Sequence, residues 1–170
     1  LWTAVLNTLY YCLSVPLNLC LALFIANVLT RKIVCGKAVR VILFIPQVCS
    51  TVAVTLMWQW IFEDNYGVIN TVLSALNIPK IHFMTDKNWF MPAVLTISLW
   101  QNGTNVVLLE AAFVNINKSL QEAARIDGAS ERRVFWSVTL PGLTPTVFYM
   151  VTMNLITALQ EQTVMQIITT

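Results

Sequence analysis

The chain has 170 residues, of which 57% are hydrophobic and 11% are charged, and its formal net charge is +2. A soluble domain carries roughly 25% charged residues, so this composition argues against a soluble domain, a disordered chain and a small secreted disulfide scaffold. The small net charge also argues against a nucleic-acid partner. We therefore expect a membrane protein.

The charged residues are grouped in short islands that leave long apolar stretches between them. Four stretches contain no charged residue: 1–30, 41–62, 89–109 and 134–160. A helix needs about 20 apolar residues to cross a bilayer core, and each stretch reaches that length. We predict four transmembrane helices, at about 5–30, 41–62, 89–112 and 141–162. Pro16 is expected to kink the first, and Pro141 and Pro145 to mark the start of the last.

The basic residues define the expected orientation of these helices. Eight of the ten fall in the first and third connections: Arg31, Lys32, Lys37, Arg40, Lys118, Arg125, Arg132 and Arg133. By the positive-inside rule this side is cytoplasmic. We therefore expect Arg31–Arg40 and Asn115–Arg133 to be cytoplasmic, and Glu63–Asn88 to be external.

The external connection carries a helical pattern of its own. Its apolar residues recur at helical spacing: Val68, Ile69, Val72, Leu73 and Leu76. Gly67 precedes this run and Pro79 follows it. The pattern predicts a short amphipathic helix on the outer surface, either as a packing lid over the bundle or as a docking element.

A few polar residues interrupt the predicted membrane helices. They are Gln101, Asn102, Asn105, Asn154 and Gln160. Gln101 and Asn105 are four residues apart and would share one helix face. Such residues form interhelical hydrogen bonds or line a solute path, and both interpretations remain open. Glu110 lies near the cytoplasmic end of its helix, where we expect it to reach the interface or to pair with a basic residue.

The connection between the third and fourth helices has strong local signals. Ser119 and Glu122 fit a capping box, which predicts a helix beginning at Leu120. Gly128 is placed to end that helix, and Ser130 to cap a second short segment. The sequence therefore predicts a compact helix–turn–helix outside the bilayer.

The same loop resembles that of permease subunits of binding-protein-dependent ABC importers. Their EAA motif reads E-A-A, three residues, G, nine residues, I or V, one residue and L-P. The residues that match it in register are Glu122, Ala123, Ala124, Gly128, Val138, Leu140 and Pro141. Asp127 and Ala129 fit the fuller form of the carbohydrate-uptake branch, whose members are similar to the maltose and glycerol-phosphate permeases.

The resemblance implies an all-α, polytopic membrane bundle of the MetI-like type with a cytoplasmic coupling helix. Such subunits usually have six membrane helices, and this chain resembles the second to fifth, so we expect a fragment of one permease domain spanning 1–170. The residues implied in contact with an ATPase are Glu122, Ala123, Ala124, Asp127, Gly128 and Ala129.

The resemblance also implies the partners and the setting. They are a second permease subunit, identical or homologous, two ATP-binding subunits, an external solute-binding protein and the lipid of a prokaryotic plasma membrane. The implied solute is a sugar or a polyol phosphate. The chain has no G-x-x-x-x-G-K-[ST] loop, so ATP hydrolysis falls to a partner and the subunit itself is not an enzyme.

Neither a cofactor nor a metal site is expected from the sequence. Cys12, Cys20, Cys35 and Cys49 lack metal-binding spacing, and His82 is isolated. One alternative is a secondary transporter or channel driven by an ion gradient, which should pair ionisable residues at mid-membrane. Another is an intramembrane enzyme, which should show a catalytic motif. ATP-dependent uptake distinguishes these three classes.

Overall fold

The computed structural model describes residues 2–30 and 36–160, and these residues are mostly helical. The first helices are α1 (Trp2–Tyr11), α2 (Ser14–Thr30), α3 (Gly36–Val48) and α4 (Thr51–Ile61). The middle helices are α5 (Val68–Ala75), α6 (Lys87–Trp100) and α7 (Gly103–Asn115). The last elements are α8 (Lys118–Ile126), α9 (Glu131–Val134), a π-helical turn (Phe135–Thr139) and α10 (Leu140–Gln160). The all-α class is confirmed for the described ranges.

Helix α2 is central to the bundle. It packs against α7, α10 and α6, and α7 also contacts α3 and α10. Ala22 and Ala26 on α2 are fully buried, as is Leu109 on α7. Small side chains let two helix backbones approach closely, which is how helices associate when lipid supplies no hydrophobic driving force between them.

The first membrane stretch is interrupted just before Pro16, and the predicted kink itself stays a prediction. The chain turns at Cys12 and Leu13, between α1 and α2. Pro16 has no N–H to donate to the carbonyl of Cys12, and the amide of Val15 donates to that carbonyl instead, at 3.1 Å. By its length and its apolar composition, the helical segment Asn7–Thr30 could cross a membrane.

The second and third predicted helices are each divided in the structure. The 41–62 stretch becomes α3 and α4, which meet at an angle of 102° across residues 49 and 50. The 89–112 stretch ends its first helix at Trp100 and begins the next at Gly103. Of the described helices, two are long and apolar enough to cross a membrane, Asn7–Thr30 and Glu131–Gln160, and the bent α3–α4 pair would add a third.

The last helix begins earlier than its prolines predicted. It runs without interruption from Glu131 through the π turn to Gln160, so Pro141 and Pro145 lie inside it. The amide of Leu140 donates to the carbonyl of Phe135, five residues back. This wider turn accommodates Pro141, which has no N–H to continue an α-helical ladder. The expected end at residue 162 lies outside the described residues.

The predicted helix in the connection after α4 is confirmed as α5. The side chain of Asn70, on α5, is fully buried. Its Nδ2 donates to the Ile81 carbonyl at 2.8 Å, and its Oδ1 accepts from the Ile81 amide at 2.9 Å. These bonds hold α5 against the connection that follows it, and the choice between a packing lid and a docking element stays open.

Candidate functional site

Two features of the described chain are candidates for function: the α8–α9 segment that carries the EAA motif, and a cavity in the middle of the bundle. Helix α8 begins at Lys118, two residues before the predicted start. Its N-cap is Asn117, whose Oδ1 accepts from the Ser119 amide at 3.0 Å and from the Ser119 hydroxyl at 2.8 Å. The predicted capping box is therefore wrong, because Ser119 donates to the capping residue and is not itself the cap.

The predicted end of α8 at Gly128 is confirmed. Gly128 has φ +81°, a left-handed conformation that a residue with a Cβ rarely adopts. Its amide donates to the Arg125 carbonyl at 3.0 Å, and the amide of Ala129 donates to the Ala124 carbonyl at 3.0 Å. This pair of bonds is a Schellman motif, and it turns the chain sharply into α9. Ser130 caps α9 as predicted, accepting from the Arg133 amide.

One face of α8 is attached to the last helix. Arg125 donates from Nε to Glu131 Oε1 at 2.6 Å and from Nη2 to Oε2 at 3.2 Å. Gln121, one helical turn earlier, donates to Thr139 Oγ1 at 3.4 Å in the π turn. The hydrogen bond to Glu131 raises the pKa of the Arg125 guanidinium. Helix α8 is therefore tied to both ends of the α9–π segment.

The opposite face of α8 is exposed. At 100° per residue, Ala123 and Ile126 point away from Gln121 and Arg125, with Glu122 and Asp127 beside them. Ile126 is 86% exposed, and no residue of α8 is buried. Of the remaining motif residues, Gly128 is exposed, while Ala124 and Ala129 are half-buried. Glu122, Ala123 and Asp127 thus lie together on the exposed face of α8, around the side chain of Ile126.

The second feature is a cavity of about 390 Å³ between α2, α3, α6, α7 and α10. It lies where both divided stretches are broken, at residues 49–50 and 101–102. Gln101 is fourteen positions from Lys87 at the start of α6 and fourteen from Asn115 at the end of α7, and so lies midway along this pair. The side chain of Gln47 donates to the carbonyl of Gln101 that the helix break leaves free. Broken helices are tolerated at membrane depth where they line a cavity or are buried in protein.

The polar residues predicted to line a solute path are brought together only in part. Gln101, Asn105 and Asn154 line the cavity. Asn102 is buried next to it and donates to the Asn18 carbonyl at 2.7 Å. Gln160 is exposed and does not line it. Gln101 and Asn105 do not share a continuous helix face, because the chain breaks between them.

These amides also form the interhelical hydrogen bonds that the sequence left as an alternative. Asn105 and Asn154 donate to each other, each at 3.2 Å, and so join α7 to α10. Asn105 also donates to Asn102 at 2.7 Å. The interhelical hydrogen bonds are confirmed, and two of these amides, Asn105 and Asn154, also line the cavity. Their place on a solute path stays a prediction.

Several lining residues were missed by the sequence analysis. Asn18, Gln47, Ser98, Thr104, Tyr149 and Thr157 all line the cavity. Asn18 and Gln47 are single amides within long apolar stretches, and that contrast is the signal that could have found them. Asn18 donates to Ser98 Oγ at 3.0 Å, which links α2 to α6.

Glu110 pairs with a basic residue, as predicted. Its partner is Arg40 at the start of α3, whose Nε is 2.8 Å from both carboxylate oxygens and whose Nη2 also contacts Oε1. Neither residue lines the cavity.

Comparison with known proteins adds an independent line of information. Residues 18–170 match the family model for the binding-protein-dependent transport system inner membrane component. The chain is 36% identical over 160 residues to the "probable ABC transporter permease protein YesP" of Bacillus subtilis, covering 92% of this chain and 52% of that protein. It is 31% identical over 164 residues to the lactose transport system permease protein LacF of Rhizobium radiobacter, covering 94% and 55%.

A solved structure is similar as well. A bacterial ABC transporter involved in import of the acidic polysaccharide alginate superposes with a TM-score of 0.82 at 27% identity, covering 91% of this chain and 55% of that one. The chain spans about half the length of the curated relatives it matches.

Proposed function

The chain belongs to the family of binding-protein-dependent transport system inner membrane components, and on that premise we propose that it forms part of the solute path of an ATP-driven importer. Its fold is that of a multi-pass membrane protein. The observation that carries the proposal is the exposed EAA face of α8 at one end of a bundle whose middle holds a polar cavity. The imported solute is a sugar or a related polyol phosphate.

The proposed coupling contact is the face of α8 around Ala123. What supports this contact is the match to the EAA motif on a helix that has no buried residue and whose Ile126 is 86% exposed. Glu122, Ala123, Ala124, Asp127, Gly128 and Ala129 would contact an ATP-binding subunit. Because Gln121 and Arg125 tie α8 to the last helix, a displacement of α8 would be passed to α10.

The proposed orientation places α8 in the cytoplasm. The end of α2 and the start of α8 border a common cavity, so Lys118 and Arg125 on α8 lie at the end of the bundle where α2 ends. Arg31 and Lys32 lie outside the described residues. This concentration of positive charge supports a cytoplasmic location for that end, in a prokaryotic plasma membrane.

The proposed assembly contains a second permease subunit, two ATP-binding subunits and an external solute-binding protein. The family description names dependence on a binding protein, and the sequence has no phosphate-binding loop of its own. Energy therefore has to arrive through contact between subunits, and that contact must differ between two states of the transporter.

Cysteine crosslinking tests the coupling contact. In the protein as its gene encodes it, with other cysteines replaced, Ala123→Cys should crosslink to the co-expressed ATP-binding subunit. Gln121→Cys, on the attached face, is the matched control and should crosslink poorly. Reaction of Ala123→Cys only with an impermeant reagent outside the cell would overturn the proposal.

Uptake into membrane vesicles tests the energy source. We expect uptake that requires hydrolysable ATP and persists when an uncoupler removes the ion gradients. Uptake that is lost with the gradient and does not need ATP would instead identify a secondary transporter.

A further inference from the structure

We propose that the central cavity accepts an uncharged, polyhydroxylated solute and excludes anionic ones, such as uronates and sugar phosphates. This inference rests on the proposed function and narrows its substrate class. Among the described residues, the lining contains amides, hydroxyls, aromatic rings, a cysteine and apolar side chains, but no Asp, Glu, Lys, Arg or His.

An anion would have no counter-charge in this lining. Removing an ion from water costs several kcal/mol unless the site supplies an opposite charge. On α3, the basic residue that comes nearest in sequence to the lining residues Pro46 and Gln47 is Arg40, which forms a bidentate pair with Glu110. That pair is electrically balanced, and neither residue reaches the cavity.

One buried polar atom in the lining lacks a hydrogen-bond donor among the described residues. Asn18 is 6% exposed and lines the cavity; its Nδ2 donates to Ser98, while its Oδ1 is buried with no hydrogen-bond partner in the described structure. An acceptor of this kind is satisfied by a hydroxyl, which donates. A carboxylate or a fully ionised phosphate group only accepts, so Asn18 Oδ1 favours the hydroxyl groups of a solute, and the exclusion of anions rests on the uncharged lining.

Aromatic side chains complete a surface suited to a sugar ring. Tyr11 and Tyr149 both line the cavity, and Tyr149 is 55% exposed. A tyrosine offers an apolar ring for the C–H face of a pyranose and a polar end for its hydroxyls. The volume, about 390 Å³, lies at the lower end of the roughly 300–1,000 Å³ typical of small-molecule sites.

Cys49 provides a probe at the site, because it is a free, exposed cysteine in the lining. The experiment uses the complete transporter in proteoliposomes, with the other cysteines replaced by alanine. The rate at which a neutral maleimide labels Cys49 is measured with maltotriose, trigalacturonate or glucose 6-phosphate present. We expect maltotriose to protect at a concentration at least about tenfold lower than either anion, a difference of about 1.4 kcal/mol.

A charge introduced into the lining should reverse this order. Gln101→Lys places a cation in the cavity and should bring protection by trigalacturonate, whereas Gln160→Lys, outside the lining, should not. Equal or stronger protection of the unmodified lining by an anion overturns the inference, as does the absence of protection by maltotriose. If the preparation retains the ATP-binding subunit and ATP-dependent uptake, either labelling result overturns only the substrate class and leaves the proposed function standing. A preparation that has neither the ATP-binding subunit nor ATP-dependent uptake would count against the proposed function itself.

Discussion

The Cα of Gly103 lies against the carbonyl oxygen of Leu43, so closely that a Cβ on residue 103 would overlap that oxygen. This contact joins the first turn of α7 to α3, next to the helix breaks that line the cavity. Glycine is required here by space, since the neighbouring atom belongs to the backbone and cannot rotate away.

We predict that Gly103→Ala destabilises the protein by about 1–3 kcal/mol, as expected for overpacking that shifts a backbone. Gly142→Ala is the matched control, because the nearest atom to its added methyl group would be Ile116 Cγ1 at 3.6 Å, an ordinary contact. The thermal midpoint of the detergent-solubilised protein measures both. Equal midpoints for the two variants would contradict the close approach of α3 and α7.

Removing one member of the Arg40–Glu110 pair should cost more than removing both. Glu110 is 14% exposed and Arg40 is 40% exposed. Arg40→Ala leaves a poorly hydrated carboxylate without a partner, so we expect its thermal midpoint to lie below that of the double variant. A double-mutant cycle with Glu110→Ala should show that the two effects are not additive. Strictly additive losses in thermal stability would show that the pair contributes nothing.

The positive φ of Gly128 predicts a graded series of variants. Gly128→Val should strain the Schellman turn by about 1–2 kcal/mol and move the end of α8, while leaving the protein in the membrane. Gly128→Asn should be milder, because asparagine tolerates the left-handed region. We expect solute-stimulated ATP hydrolysis and uptake to fall in the order glycine, asparagine, valine. Full activity of the valine variant would contradict a coupling role for this turn.

The turn before α5 should weaken in acid. Glu63 accepts from the Tyr66 amide at 2.7 Å and the Asn65 amide at 2.8 Å, and these bonds lower the pKa of its carboxyl. A lowered pKa means that folding favours the ionised form, so the contribution is complete above the ordinary glutamate pKa, about 4.3, and is lost as pH falls through the folded-state value. The protection factor of the Tyr66 amide, its intrinsic exchange rate divided by the observed rate, should fall in that range. Glu63→Gln should remove most of this pH dependence.

The sequence predicted those helix ends and helices that depend only on residues close together in the chain. Gly128 and Ser130 each act within one turn of helix and the α5 pattern within about two turns, and all three occur in the structure as the sequence indicates. The start of α8 was harder, because Asn117 and Ser119 are both good capping residues only two positions apart. The capping-box pattern favoured Ser119, whereas the N-cap in the structure is Asn117.

The helix breaks could not be predicted from apolar length. Hydropathy measures whether a segment tolerates lipid and is the same for a straight helix and a bent one. The break after Trp100 depends on a distant partner, Gln47, which bonds the freed carbonyl of Gln101. The cavity lies at both breaks, so apolar length does not predict it; the sequence indicated only the lining residues that are polar within apolar stretches, such as Gln101, Asn105 and Asn154.

The π turn between α9 and α10 has a geometric consequence. Five residues close its hydrogen-bonded ring where an α-helix would use four, so Glu131 is rotated about 100° round the helix axis compared with an unbroken α-helix. Arg125 finds its partner at that rotated position. Deleting a single residue from Phe135–Thr139 would turn the Glu131 carboxylate away from α8. This one π turn therefore sets the direction in which the α8–α9 segment projects from the last helix.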